Sequence, residues 1–241
     1  MTTSSFPSPR FPRAIHAALA LAATAALLLG ACSSTGGHQA TKADLKKALP
    51  KVTDIGGDYK LQKADKADKE ESADDKASDA AIEKACPEAA KLADPEDGKD
   101  ADEVKVDFEV TADGRSISAS ADLSPRDLDE DSVDTFVTAV NKCGTVSYTT
   151  SDQTPVSLDL SAKKVSGIGD VAVEYTIDGK TSFGGTVLKI QAKGISFLAN
   201  GLGGEIQVTS GLDGVNFTTV APDSDKLEPL AKALAAKLAD I

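Results

Sequence analysis

Three cysteine thiols are the most reactive side chains of this 241-residue chain, which has only two histidines and no tryptophan. Cys32 follows a run built almost wholly of alanine and leucine and closes the tetrapeptide Leu29-Gly30-Ala31-Cys32. Cys86 and Cys143 lie in the polar remainder of the chain. A thiol can be acylated, pair with another thiol or bind a metal, and the surroundings of each cysteine favour one of these outcomes.

The N-terminal segment has the layout of an export signal. Arg10 and Arg13 precede the apolar run Ala14–Leu29, and small residues precede Cys32. This run is shorter than the roughly 20 residues that a membrane-spanning helix needs, which disfavours a transmembrane anchor. The tetrapeptide resembles the lipobox of bacterial lipoproteins, in which the cysteine receives a diacylglyceryl group and becomes the new N-terminus. A plain signal peptide is the alternative.

This reading divides the chain into three parts. We expect residues 1–31 to be a cleaved lipoprotein signal peptide and Cys32 to carry a lipid anchor, with palmitate as the acyl chain. Residues 32–41 are rich in Ser, Thr and Gly and form a flexible tether. Residues 42–241 form a single extracytoplasmic domain, in which the charged segment 63–79 is a mobile insertion. The localisation that follows is the outer side of the cell membrane.

Charge excludes one class of partner. Without residues 1–31 the chain retains 24 lysines and arginines against 38 acidic residues, a net charge of −14. Such a surface repels nucleic acid, and no basic patch with interleaved aromatic residues offsets it.

Cys86 and Cys143 are expected to form a disulfide, because two cysteines in an exported domain usually pair. Two free buried thiols or a metal pair are the alternatives. A metal is disfavoured because no histidine lies nearby to complete a zinc site. We expect no cofactor.

The apolar pattern predicts an α+β domain. The predicted helices are Lys42–Leu49, Ala80–Ala93 with an interruption at Pro87, a stretch from Pro125 to Lys142, and Asp223–Leu238. The predicted strands are Val104–Val110, Ile117–Leu123, Val146–Thr149, Val156–Leu160, Val171–Ile177, Thr186–Ala192, Ile195–Ala199, Glu205–Thr209 and Val215–Val220. Tight turns are predicted at Asp113-Gly114, Asp178-Gly179 and Asn200-Gly201. We expect an antiparallel sheet of about six to eight strands with two or three helices on one face.

Catalytic motifs are weak. Ser161 and Lys164 fit the S-x-x-K spacing of penicillin-binding enzymes, but the companion motifs are missing. Asp127, Asp129 and Asp131 alternate as in a calcium loop, without its glycine and terminal glutamate. Both histidines precede residue 42, which removes Ser-His and Cys-His pairs from the domain. We expect no catalytic residues and no enzyme activity.

The order of these features resembles a family of actinobacterial lipoproteins that look like the extracellular sensor domain of the receptor kinase PknH. The matching pieces are Leu49-Pro50 after the first helix, Cys86, the helix ending in Asn141-Lys142-Cys143, the strand entry at Ile168–Val173, and a late hairpin at Lys193-Gly194-Ile195. The tryptophan that often precedes the second cysteine of these relatives is absent. The resemblance implies an α+β domain with a sheet groove for a small ligand, and it transfers no binding residues.

Two functions fit this interpretation. The first is a non-enzymatic ligand-binding or sensor-like module, tethered to the membrane, whose partner is a small ligand, a lipid or a protein. The alternative is a carrier of envelope lipid or glycolipid. A carrier requires an apolar cavity of several hundred Å³, whereas a binding module requires a smaller groove with a few converging polar groups.

Overall fold

The computed structural model describes residues 40–62, 73–93, 103–123, 130–183, 185–213 and 218–241. Several predictions from the sequence lie outside these ranges: the signal peptide, the lipidated Cys32 and the possible calcium ligands Asp127 and Asp129.

The described residues combine helices with one large sheet. The helices are α1 (Lys42–Ala48), α2 (Val52–Ile55), α3 (Ala73–Ala85), α4 (Pro87–Ala93), α5 (Glu130–Lys142) and α6 (Leu227–Ala239). The strands are β1 (Tyr59–Leu61), β2 (Glu103–Val110), β3 (Ser116–Asp122), β4 (Thr145–Thr149), β5 (Pro155–Val165), β6 (Val171–Phe183), β7 (Thr186–Ala199), β8 (Leu202–Thr209), β9 (Gly211–Asp213) and β10 (Thr218–Val220).

Strands β1 to β8 form one antiparallel sheet in the order β1-β2-β3-β8-β7-β6-β5-β4. Strands β4 to β8 follow one another as a meander. Strand β8 then pairs with β3, which joins this meander to the half of the sheet made by β1, β2 and β3. The short hairpin β9–β10 forms a separate ladder. The prediction of an antiparallel α+β fold is confirmed.

Strand β7 contributes to two hydrophobic clusters, one on each face of the sheet. Ile195 and Phe197 belong to the cluster that includes α1, α2 and α6, whereas Ile190 and Ala192 belong to the cluster that includes α5. Because successive side chains of a strand point to opposite faces, the two clusters lie on opposite sides of the sheet. We call the side of Ile195 face A and the side of Ala192 face B.

The prediction that the helices cover one face is therefore wrong for the described helices. Helices α1 and α6 cover face A over β2, β3, β8 and the end of β7, while α3 and α5 cover face B over β4, β5 and β6. The reason is the burial pattern of the sheet, whose two halves bury opposite faces. Each half consequently leaves a polar face without a described helix over it.

Helix α6 follows from its apolar stripe. Leu227, Leu230, Leu234 and Leu238 recur at spacings of three and four residues and are all buried, as the sequence predicted. Helix α1 begins with a capping box, in which Thr41 and Asp44 each accept a hydrogen bond from the other's backbone N–H.

Helix α5 is fixed to the sheet by an asparagine. The side chain of Asn141 donates to the carbonyl of Ala162 at 2.8 Å and accepts from its N–H at 2.9 Å. Ala162 lies beyond the point where β4 stops pairing with β5, so Asn141 satisfies backbone groups that no neighbouring strand reaches. Gly144, at φ +65°, ends the helix as predicted.

Only residues 73–79 of the charged segment 63–79, predicted as a mobile insertion, lie in the described ranges, and they are helical. Residues from Ala73 onward belong to α3, and Ser78 is fully buried. The predicted interruption near Pro87 is confirmed, since α3 ends at Ala85 and α4 begins at Pro87. Proline is tolerated there because the first residue of a helix needs no N–H partner.

Two glycines predicted to form turns lie inside strands instead. Gly179 pairs within β6, where a Cβ atom would lie 2.6 Å from Leu158 Cδ2. Gly194 lies within β7, so the predicted late hairpin at Lys193-Gly194-Ile195 is also wrong. Both glycines are required by close side-chain contact rather than by chain reversal. The turn at Asn200 and Gly201 is confirmed, with φ angles of +52° and +77°.

The predicted disulfide is present. Cys86 and Cys143 are bonded, with their Cα atoms 4.8 Å apart. The bond joins the α3–α4 junction to the end of α5. It thereby fastens the helices that cover face B to one another.

Candidate functional site

The S-x-x-K motif of the sequence does not form a catalytic pair in the structure. Ser161 and Lys164 both lie within β5, three residues apart, so their side chains point to opposite faces of the sheet. The hydroxyl and the amine therefore do not form a nucleophile–base pair. Among the described residues, no cluster of three or more His, Cys, Asp or Glu side chains could hold a metal ion.

A buried polar network crosses strands β6, β7 and β8 on face B. The hydroxyl of Tyr175 donates to Glu205 Oε1 at 2.6 Å and accepts from Gln207 Nε2 at 2.9 Å. Ser196 Oγ donates to Glu205 Oε2 at 3.2 Å. Burial raises the pKa of Tyr175 well above its usual value, and the charge of Glu205 acts in the same direction.

This network holds the sheet together rather than offering a reactive group. A phenol with a raised pKa stays protonated at neutral pH and serves as a hydrogen-bond donor, not as a base or nucleophile. Tyr175, Glu205 and Gln207 are each less than one-tenth exposed. Their hydrogen bonds to each other fix the positions of the three strands.

A second polar cluster joins the start of the 3-10 turn before α6 to the β2–β3 hairpin. Asp223 accepts from the Tyr59 hydroxyl at 3.0 Å and from Arg115 Nη1 at 2.5 Å. Arg115 Nε also donates to Asp113 Oδ2 at 3.0 Å. Burial raises the pKa of Tyr59, and its hydrogen bond to Asp223 adds to the effect. This cluster is also structural, since it ties three distant chain segments together.

An open cleft of about 500 Å³ lies at the end of the sheet where β4, β5, β6 and β7 come together. Hydroxyl groups, one lysine and several apolar side chains line it. The lining residues are Ser147, Tyr148, Thr149, Pro155, Val156, Ser157, Lys180, Thr181, Ser182 and Val187.

The strand register explains the composition of the cleft. Ser147 lies opposite Ser157, and Ser157 lies opposite Lys180, so three polar side chains share one row on face A. Val187, with two-thirds of its surface exposed, is one of the few large apolar side chains in the described residues that remain open to solvent. The cleft thus presents hydroxyl and ammonium groups next to an apolar wall, as ligand-binding sites commonly do.

The sequence did not identify this cleft. Gly179-Lys180-Thr181 reads as a hairpin tip, whereas the structure places all three residues within β6. The alternation of serine with apolar residues in β5 indicates a strand with one polar face. It does not indicate which strands lie next to β5, so the cleft could not be predicted from it.

Comparison with known proteins gives no assignment: no protein-family model matches the chain, and no curated protein is significantly similar to it in sequence. Among the described residues, no helix has the length and apolar character to cross a membrane.

Proposed function

We propose that this protein is a membrane-tethered, extracytoplasmic lipoprotein that binds a ligand without transforming it. The observation that carries this proposal is the open cleft at the β4–β7 end of the sheet, where hydroxyls and a lysine converge beside apolar side chains. The one catalytic motif of the sequence, Ser161 with Lys164, is divided between the two faces of β5.

The tether in this proposal is the lipid on Cys32, which follows the export signal of residues 1–31. A disulfide between Cys86 and Cys143 supports this location, because such bonds persist mainly outside the cytoplasm. The resemblance to the PknH-like extracellular sensor domains points to the same type of module, in which a partner protein would transmit the signal.

The carrier of envelope lipid is the alternative. A carrier would shield the acyl chains of its cargo in an enclosed cavity, whereas the cleft at β4–β7 is open and lined by hydroxyl groups as well as apolar side chains. The cleft therefore favours a binding module with a small or partly exposed ligand.

Native mass spectrometry of the full chain, purified from the membranes of its own host, tests this proposal. The matched variants are Ser157→Tyr, which places a ring on the floor of the cleft, and Ser161→Tyr, four residues along on the same face and outside the cleft lining. We expect a small molecule to remain bound to the wild type and to Ser161→Tyr, and to be lost from Ser157→Tyr.

Two results would contradict the proposal. Absence of any bound mass in all three proteins would remove the binding role. If a membrane lipid stays bound to Ser157→Tyr, the protein is instead a lipid carrier. The acyl chains of that lipid would then lie in a cavity other than the cleft at β4–β7.

A further inference from the structure

Two lysines lie directly opposite each other beside the cleft. Lys180 on β6 and Lys189 on β7 are register partners on face A. The Cβ atoms of such cross-strand partners are about 5 Å apart, and like charges in this position destabilise a sheet. The arrangement is unusual in a chain whose net charge is −12.

Within the part of the chain that the structure describes, no salt bridge neutralises this lysine pair. Within the described residues, no ion pair joins Lys180 or Lys189 to an acid, although Lys163 on the same face contacts Glu174 at 3.0 Å. Asp178 and Asp159 form the next row on this face, and both accept from neutral groups: Asp178 from the amide of Gln191 at 2.9 Å and Asp159 from the hydroxyl of Thr145 at 2.6 Å. The electrostatic repulsion between the two ammonium groups is therefore not offset by a direct salt bridge.

The lysine pair extends the polar row of the cleft. Across four adjacent strands this row reads Ser147, Ser157, Lys180 and Lys189. Two ammonium groups and two hydroxyls on one surface are donors suited to the oxygens of a phosphate or carboxylate. Binding such an anion would relieve the repulsion between the two ammonium groups.

The next row supplies an apolar contact. Val187 lies two residues before Lys189 on the same face, and Pro155 lies two residues before Ser157. Both line the cleft. A ligand that places an anionic group on the lysines therefore has apolar surface available for an adjoining chain or ring.

We propose that the ligand of this cleft is an anionic amphiphile, held by a phosphate or carboxylate group at Lys180 and Lys189 and by an apolar portion against Val187 and Pro155. This inference rests on the proposed binding function and names the chemical class of its ligand. It does not depend on whether the amphiphile comes from a lipid or from a free metabolite.

The test uses the whole chain carrying Cys32→Ser, titrated with three probes: octyl phosphate, octyl glucoside and inorganic phosphate, each octyl compound below its critical micelle concentration. Calorimetry gives the affinities, and amide NMR shifts report where each probe binds. We expect octyl phosphate to bind most tightly and to shift the amides of Ser157, Lys180 and Val187.

The variants separate charge from shape. The double variant Lys180→Gln/Lys189→Gln should weaken octyl phosphate by about tenfold or more, the loss expected for removal of charge-assisted hydrogen bonds. Lys193→Gln, four residues along β7 on the same face, is the matched control and should bind as the wild type does.

The outcomes distinguish this inference from the function on which it rests. Equal affinity for octyl glucoside and octyl phosphate at the cleft, or an unchanged octyl phosphate affinity in the double variant, would overturn the anion site while leaving a cleft that binds ligands. If no probe shifts a cleft amide, the cleft is not the binding site and both proposals fail.

Discussion

The ring of Tyr175 lies directly over Gly194 on the neighbouring strand, so that a Cβ atom at position 194 would lie 2.0 Å from Tyr175 Cζ. This contact lets the Tyr175 hydroxyl cross β7 and reach Glu205 and Gln207 on β8. One missing side chain thus permits a hydrogen-bonded network that spans three strands. The same contact explains why a glycine lies in the middle of β7.

Gly194→Ala should destabilise the domain by about 3 kcal/mol, because the added methyl displaces a fully packed ring and its hydrogen bonds. Urea denaturation followed by circular dichroism measures the free energy of unfolding. Tyr175→Leu provides the control background. Without the tyrosine ring, Gly194→Ala should lower the free energy of unfolding by much less. Equal costs in both backgrounds would show that the ring does not cause the penalty.

Removal of the disulfide should lower the stability of the domain by about 4 kcal/mol, since the bond closes a loop of 57 residues in the unfolded chain. The variant is Cys86→Ser/Cys143→Ser, compared with the wild type under oxidising and reducing conditions. Addition of a reductant should destabilise the wild type and leave the double variant unchanged. A double variant as stable as the oxidised wild type would contradict the role assigned to this bond.

Stability should fall as the pH rises above about 10, the ordinary pKa of tyrosine in an unfolded chain. The pKa values of Tyr59 and Tyr175 are raised in the folded state, chiefly by burial. The contribution of these two tyrosines to the free energy of unfolding is therefore fully present below the pKa of tyrosine in the unfolded chain. It is lost as the pH rises toward their pKa values in the folded state, because the unfolded chain ionises more readily.

The measurement is the urea midpoint between pH 8 and 11, in wild type and in Tyr59→Phe. The phenylalanine variant should show a shallower alkaline decline, since one of the two perturbed phenols is gone. The ultraviolet absorbance of phenolate should rise together with unfolding. Ionisation of all three tyrosines before any loss of structure would contradict the burial of Tyr59 and Tyr175.

Local patterns in the sequence predicted most elements of this fold. Alternation of Val104, Val106 and Phe108 with charged residues predicted β2, and the leucine spacing after Asp223 predicted α6. The cysteine pairing followed from the expected export of the domain and from the two cysteines within it. These features depend on residues close in sequence or on simple counting, so tertiary contacts did not need to be known.

Features that depend on long-range contacts were not predicted. Gly179 and Gly194 resemble turn residues in sequence, but each is glycine because a side chain from the neighbouring strand occupies its Cβ position. The opposition of Lys180 and Lys189 exists only in one register of β6 and β7. The division of the helices between two faces likewise depends on which strands become neighbours.

Attachment of a lipid to Cys32 is the claim on which the extracytoplasmic binding role depends. Cells of the native host grown with a clickable palmitate analogue test it, by comparing the full-length wild type with Cys32→Ser after fractionation. We predict a labelled wild-type protein in the membrane fraction and an unlabelled variant that is released from it. An unlabelled wild type, or a Cys32→Ser variant held as firmly on the membrane, would contradict the account.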